Sequence, residues 1–230
     1  MTGASSSFDH YRDNLAAERL RACYDAAPAR TRRYLEAEAA HVRAKISAGM
    51  RVVELGCGYG RFLRPISGKP ARLIGIDTSL ASLKLAREHL AGRAVVGLAA
   101  MNAVKTGFPD GIFDLTLCIQ NGVSAFHVDK ISLFREAVRI TASGGLVLFS
   151  SYARAFWPHR LEWFAAQAAR GLIGPIDHEA TGDGVIVCKD GFHAETVDED
   201  GFRALAAAVG GKPEIVEVDG SSLFCEIRVR

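Results

Sequence analysis

Three glycines spaced two apart, Gly56, Gly58 and Gly60, follow the apolar run Val52-Val53-Glu54-Leu55. A carboxylate, Asp77, closes the next apolar run, Leu73-Ile74-Gly75-Ile76. A turn without β-carbons lets a ligand lie directly on the backbone. A carboxylate at the tip of the neighbouring strand can accept hydrogen bonds from both hydroxyls of a ribose. Together these residues predict a nucleoside site at the ends of two parallel strands.

The glycine spacing narrows the choice of nucleoside. A dinucleotide fingerprint requires G-x-G-x-x-G, with pyrophosphate on the helix N-terminus. Counted from Gly56 its last position is Arg61, and counted from Gly58 it is Leu63, so neither frame fits. No Gly-Lys-Ser/Thr occurs, which excludes the P-loop pattern. What stands in the chain is Glu54-x-Gly56-x-Gly58-x-Gly60.

That segment resembles the first motif of the class I S-adenosylmethionine (SAM) methyltransferases. The resemblance covers about Met50 to Ser151, and the terminal strands loosely. It implies that Glu54 meets the SAM amino group or orders the glycine loop. Gly56, Gly58 and Gly60 would pass close to the methionine part, with the amides of Cys57 and Tyr59 near its carboxylate. Asp77 would hold the ribose, with Thr78 beside it. Met101-Asn102-Ala103 and Phe108-Pro109-Asp110-Gly111-x-Phe113-Asp114 resemble the family's next segment, in which an acidic residue and the following amide read adenine; here Asn102 and Ala103 occupy those places. Gln120 and Asn121 stand at the strand tip that lies beside the sulfonium in the family. Amino-methylating nucleic-acid enzymes carry Asn/Asp-Pro-Pro-aromatic there, and Asn121-Gly122-Val123-Ser124 lacks it. Ser143-Gly144-Gly145 resembles the family's Pro-Gly-Gly turn.

The elements that must position these residues follow from the hydrophobic pattern. Apolar runs at Arg51 to Leu55, Ala71 to Asp77, Arg93 to Leu98, Phe113 to Ile119 and Gly145 to Ser151 read as strands. They alternate with helical stretches, including Arg61 to Ile66, one capped by Thr78 or Ser79, and Asp129 to Ile140. This predicts an α/β fold: a doubly wound, Rossmann-like, seven-stranded and mostly parallel sheet with an antiparallel last strand. The first part of the chain reads as two helices broken by Pro28, and residues 1–7 as disordered. Ala155 to Gly171 reads as an aromatic-rich helix, Val185 to Cys188 as a short strand, Val197 to Val209 as a helix, and Glu214 to Val218 and Leu223 to Val229 as strands. The expected organisation is one domain over 1–230, with an N-terminal helical lid (8–47), a core (50–151), an inserted lid segment (152–195) and a closing part (196–230).

Composition bounds the function. The 230 residues carry a formal charge of +2, which argues against a dedicated nucleic-acid surface. No run reaches membrane-span length and the start lacks a signal-peptide core, so a cytoplasmic protein without a membrane partner is expected. The five cysteines have no C-x-x-C pair, so no metal is expected. The resemblance implies methyl transfer from SAM, giving S-adenosylhomocysteine, to a small-molecule O, N or S nucleophile. An RNA or protein methyltransferase, a SAM-binding protein without transferase activity and a nicotinamide enzyme stay as alternatives. If a base is used, the candidates are His127, His159 and His178, and Asn121 is a further candidate for a catalytic role. Tyr11, Tyr24, Asn121 and Trp157 are the candidates for substrate contacts, and monomer and homodimer both remain open.

Overall fold

A computed structural model describes residues 16–93 and 96–230. The expectations for Tyr11 and for residues 1–7 lie outside the described residues. Seven strands form one sheet: β1 (Arg51–Leu55), β2 (Arg72–Asp77), β3 (Val96–Ala100), β4 (Phe113–Cys118), β5 (Thr141–Tyr152), β8 (Pro213–Val218) and β9 (Ser222–Arg228). Their spatial order is β3-β2-β1-β4-β5-β9-β8, and β9 runs antiparallel between β5 and β8. Two short strands, β6 (Ile186–Val187) and β7 (His193–Ala194), pair separately. The helices are α1 (Ala17–Asp25), α2 (Ala29–Lys45), α3 (Leu63–Ile66), α4 (Leu80–His89), α5 (Gly122–Ala125), α6 (Lys130–Ile140), α7 (Trp157–Ala169) and α8 (Glu199–Ala207).

Alternating side chains on the strands build a core on each face of the sheet. Val53, Ile76, Phe113 and Phe149 pack with Phe134 of α6 and Phe202 of α8. Val52, Leu73, Leu115, Leu117 and Leu148 pack with Val42 of α2, Leu63 of α3 and Leu83 of α4. The Phe134 and Phe149 rings stack at 3.8 Å. A third cluster joins α1, α2, α7 and the β6–β7 segment through Tyr34, Tyr152, Phe156, Trp163, Phe164 and Phe192. Buried Glu226 of β9 accepts from Lys45 Nζ at 2.7 Å and pairs with His41 Nε2 at 2.7 Å, fixing α2 across the sheet.

Several boundaries differ from the sequence expectation for physical reasons. The third strand runs on to Ala100, past the expected end at Leu98, because it stays paired with β2 from Leu73↔Val96 to Asp77↔Ala100. The first core helix starts at Leu63 because Gly60, at φ +78°, is still in the turn. The turn expected at Ser143–Gly145 lies inside β5: with no proline there, Gly144 N–H donates to the Val229 carbonyl at 2.8 Å. A 3₁₀ turn, Arg154–Phe156, precedes α7, whose second residue, Pro158, has no N–H to offer.

Neighbouring strands β1 and β4 leave toward opposite edges of the sheet, so a crevice opens at the carboxyl ends of β1, β2 and β4.

Candidate functional site

The loop after β1 is shaped by backbone hydrogen bonds. Gly56 and Cys57 N–H both donate to the Ile76 carbonyl, at 2.8 and 2.9 Å. Asp77, at the end of β2, closes the loop from the other side: Oδ2 accepts from Gly58 N–H at 2.9 Å and Oδ1 from Ser79 N–H at 2.8 Å. Ser79 then caps α4 by accepting from Ser82 N–H. Gly56 sits at φ +75°, and a β-carbon there would come within 2.2 Å of Phe126 Cζ. Gly58, at φ +53°, faces Leu20 of α1. The cradle therefore needs glycine at these positions for its conformation and for its packing.

The tip of β4 is held by a polar network. Gln120 and Asn121 are both left-handed, at φ +56° and +60°. Such geometry in non-glycine residues persists only where the surroundings enforce it. Gln120 N–H donates to Ser150 Oγ at 2.8 Å and to Glu38 Oε1 at 3.2 Å. The Gln120 side-chain oxygen accepts from Tyr24 OH at 2.9 Å. Asn121 donates to the Glu195 carbonyl at 2.9 Å and accepts from Ser151 Oγ at 2.9 Å. Ser151 in turn accepts from Val197 N–H at 3.0 Å. Asn121 thereby ties the β6–β7 segment to the sheet.

These parts enclose a cavity of about 280 Å³. Its floor is Glu54, the glycine loop and Asp77, with Asn102 and Ala103 along one side and Gln120 and Asn121 at the strand tip. Its roof is Leu20, Cys23 and Tyr24 of α1 with Trp163, Phe164 and Gln167 of α7. The roof is fastened: Trp163 Nε1 donates to the Cys23 carbonyl at 2.9 Å, and Arg19 donates to the carbonyls of Gly171 (2.7 Å) and Leu172 (3.0 Å).

Burial dominates the electrostatics. It pushes the Glu54 carboxyl up to about 8 from an ordinary 4.5, while the Arg61 charge pulls it down. Burial likewise raises Tyr24, Cys57 and Glu38. A carboxyl with a raised folded pKa stabilises the fold fully below its unfolded value, and that contribution is lost as pH rises through the folded value. Without ligand, the stability of the protein should therefore fall between about pH 4.5 and 8 by up to about 5 kcal/mol on account of Glu54. Urea melts at pH 5 to 9 check this: Glu54→Gln should flatten that part of the slope, and parallel profiles for the two proteins would rule it out.

Nine of the ten cofactor-site residues proposed from the sequence, Glu54, Gly56, Cys57, Gly58, Asp77, Thr78, Asn102, Ala103 and Gln120, line this cavity, whereas Gly60 closes the loop behind them and is not part of the lining. Asn102 gives its side-chain oxygen to Val104 N–H at 3.0 Å, so its amide NH₂ is the group turned to other partners. Tyr24 and Asn121 also line the cavity. Trp157 and His159 stand on α7 outside the lining: Trp157 packs by Arg160, and His159 lies 3.7 Å from Glu162. His127 lies between the lining residues Phe126 and Val128, with its ring 5.0 Å from His193. Arg61, Tyr152, Phe164 and Gln167 line the cavity without having been selected from the sequence. Arg61 was legible as an arginine directly after the third glycine, but there it read only as a helix start. Among the described residues no cluster of three metal-ligating side chains occurs.

Residues 53–149, which carry the glycine cradle, Asp77 and the β4 tip, match the family model described as Methyltransferase domain. The core is similar to a methyltransferase domain. The chain is 34% identical over 111 residues to a ubiquinone biosynthesis O-methyltransferase of Thiobacillus denitrificans, covering 46% of this chain and 46% of that protein. It is 29% identical over 158 residues to a phosphoethanolamine N-methyltransferase of Triticum aestivum, covering 67% of this chain and 30% of that one. Each match thus spans less than half of the curated relative. The methyltransferase fold extends beyond the matched core. The N-methyltransferase NodS from Bradyrhizobium japonicum, solved with S-adenosyl-L-homocysteine, superposes with a TM-score of 0.62 at 15% identity, covering 98% of this chain and 99% of that chain.

Proposed function

We propose that the chain is a SAM-dependent methyltransferase acting on a small molecule. The observation that carries this reading is the juxtaposition of the glycine cradle and Asp77 with a roofed cavity at the sheet's switch point. SAM fits the residues present. Ribose hydroxyls suit Asp77, a carboxylate acceptor at the tip of β2 beside the glycine loop. Adenine suits Asn102 and Ala103, and the ammonium suits Glu54 Oε2, which is buried with no hydrogen-bond partner among the described residues. When bound, SAM supplies an activated methyl group on a cationic sulfur.

The chain's own contribution is then placement and exclusion of water. Gln120 and Asn121 hold the β4 tip in one conformation. The α1 and α7 roof covers the cavity with Tyr24, Trp163 and Phe164, which favours a small acceptor over a folded protein or RNA. Asn121 uses both ends of its amide in the structure, so its role is positioning. His127, at the rim, is the histidine best placed to receive a proton. No helix among the described residues is long and apolar enough to cross a membrane, and the five buried thiols suit a reducing compartment such as the cytoplasm.

Calorimetry with S-adenosylhomocysteine and NAD, followed by a metabolite screen that detects S-adenosylhomocysteine release, tests the reading. Binding of the former alone and turnover on a metabolite are expected. Binding of NAD alone, or turnover only on RNA or a folded protein, would overturn it.

A further inference from the structure

Helix α2 turns a polar face into the protein. Thr31, Tyr34 and Glu38 stand three and four residues apart on it, so they share one face, and all three are fully buried. A packed helix ordinarily buries apolar side chains there, and an inward carboxyl carries a desolvation cost. Part of this arrangement is structural. Glu38 Oε1 accepts from Ser150 Oγ at 2.5 Å and from Gln120 N–H at 3.2 Å, and so helps to hold the left-handed tip of β4. That clasp uses one oxygen. Glu38 Oε2 is buried with no hydrogen-bond partner among the described residues, and so is the hydroxyl of Tyr34.

Glu38 does not line the cavity, but Tyr34 connects it to a residue that does. The Tyr34 hydroxyl is close enough to Glu38 and to Tyr152 to favour the ionised form of each, short of a full hydrogen bond to either. The Tyr34 and Tyr152 rings are 5.4 Å apart. Tyr152 ends β5 and lines the cavity. The Arg160 guanidinium, 4.7 Å from the Tyr152 ring centroid, favours loss of the Tyr152 proton. A hydroxyl can accept on one side while it donates on the other. The hydroxyls of Tyr152 and Tyr34 thus form a line from the cavity to the unpaired oxygen of Glu38.

We propose, on the methyl-transfer reading above, that Glu38 takes the acceptor's proton through Tyr152 and Tyr34, and that the acceptor is a hydroxyl compound of the phenol type. The acceptor oxygen bonds the methyl carbon as its O–H bond breaks, and the S–CH₃ electron pair stays on sulfur. The proton goes to Tyr152, that of Tyr152 to Tyr34, and that of Tyr34 to Glu38 Oε2, so that the carboxylate ends as a carboxylic acid. A free amine or a thiolate needs no such path, whereas a hydroxyl does. Among hydroxyls a phenol is the closest match to a carboxyl raised by burial, and the roof of Tyr24, Trp163 and Phe164 suits a flat ring.

Two probes on the S-adenosylhomocysteine-loaded full chain test the path. One is para-chlorophenol, which can give its proton to Tyr152; the other is para-chloroanisole, in which a methyl group replaces that proton. Calorimetry from about pH 5.5 to 8 keeps the phenol protonated. Arg61, Glu54, Tyr24, Tyr34 and Tyr152 are the titratable groups that act on Glu38, and both probes meet the same set. The ratio of the two affinities should rise about tenfold in favour of the phenol as Glu38 ionises, because hydrogen bonding that ends on a charged group is the stronger. Glu38→Gln should hold the ratio level. A Glu38 that only clasps Gln120 would change both affinities together at every pH. A level ratio in the wild type, or no binding of the phenol, therefore overturns the path. A rise that survives Glu38→Gln gives the proton to another group, such as His127, and overturns it too. Should Glu38→Gln fail to fold, Tyr34→Phe, which keeps the clasp and cuts the path, is held to the same outcome. A wild type that binds no S-adenosylhomocysteine sinks the methyl-transfer reading alone, and the same ratio on the ligand-free proteins then decides the path.

Discussion

Replacing Asp77 with alanine should weaken S-adenosylhomocysteine binding by about 100-fold or more. The substitution removes the acceptor for two ribose hydroxyls, each hydrogen bond to a charged group being worth about 1.5–3 kcal/mol. It also strips Gly58 and Ser79 N–H of their partner, so the glycine loop loses the tie that shapes it. The ribose contacts act on the bound state alone, and a loss near 3 kcal/mol corresponds to the stated factor. Asp77→Asn should be milder, since its oxygen keeps one of the two loop contacts. Calorimetry on variants shown by thermal melting to be folded measures the effect. A folded Asp77→Ala protein with wild-type affinity would remove the ribose from this position.

Arg160→Met should destabilise the protein by about 3–5 kcal/mol, the range for leaving buried polar partners unmet around a lost charge. Arg160 is fully buried. It donates to the carbonyls of Gly184 at 2.6 Å and Ala194 at 2.8 Å. Its guanidinium lies 4.7 Å from the Tyr152 ring centroid and 5.5 Å from that of Phe164. Methionine fills much of the volume and restores none of the hydrogen bonds. The loss should be local first: amide exchange should speed up across residues 170–196 and then in α1, which Trp163 ties to the same roof. Urea melts give the total. A change below about 1 kcal/mol would mean that apolar contacts alone hold the β6–β7 segment in place.

The parts of the site that are local in sequence were legible there. Glycine at alternate positions, and a carboxylate ending the next apolar run, depend on backbone geometry within a few residues, so their types and spacing report their role. The parallel strands were legible for a similar reason, since a strand buried on both faces must be apolar almost throughout. Less local features were not. Trp157 and Trp163 look equivalent in the sequence, but six residues on an α-helix turn the side chain by about 240°, and only Trp163 faces the cavity. Phe126 and Gly56 need each other across 70 positions, through a contact that neither residue type announces.

The sequence by itself determined the glycine cradle, the carboxylate that closes it and the order of strand and helix, because each is set by backbone conformation and burial along a short stretch. Only the tertiary structure decided what surrounds them: the left-handed Gln120 and Asn121 held by Ser150, Ser151 and Glu195, and the roof made by α1 and α7. Those depend on which groups meet after the chain has folded, and on how each helix is rotated against the sheet. Periodicity limits both without choosing between the alternatives.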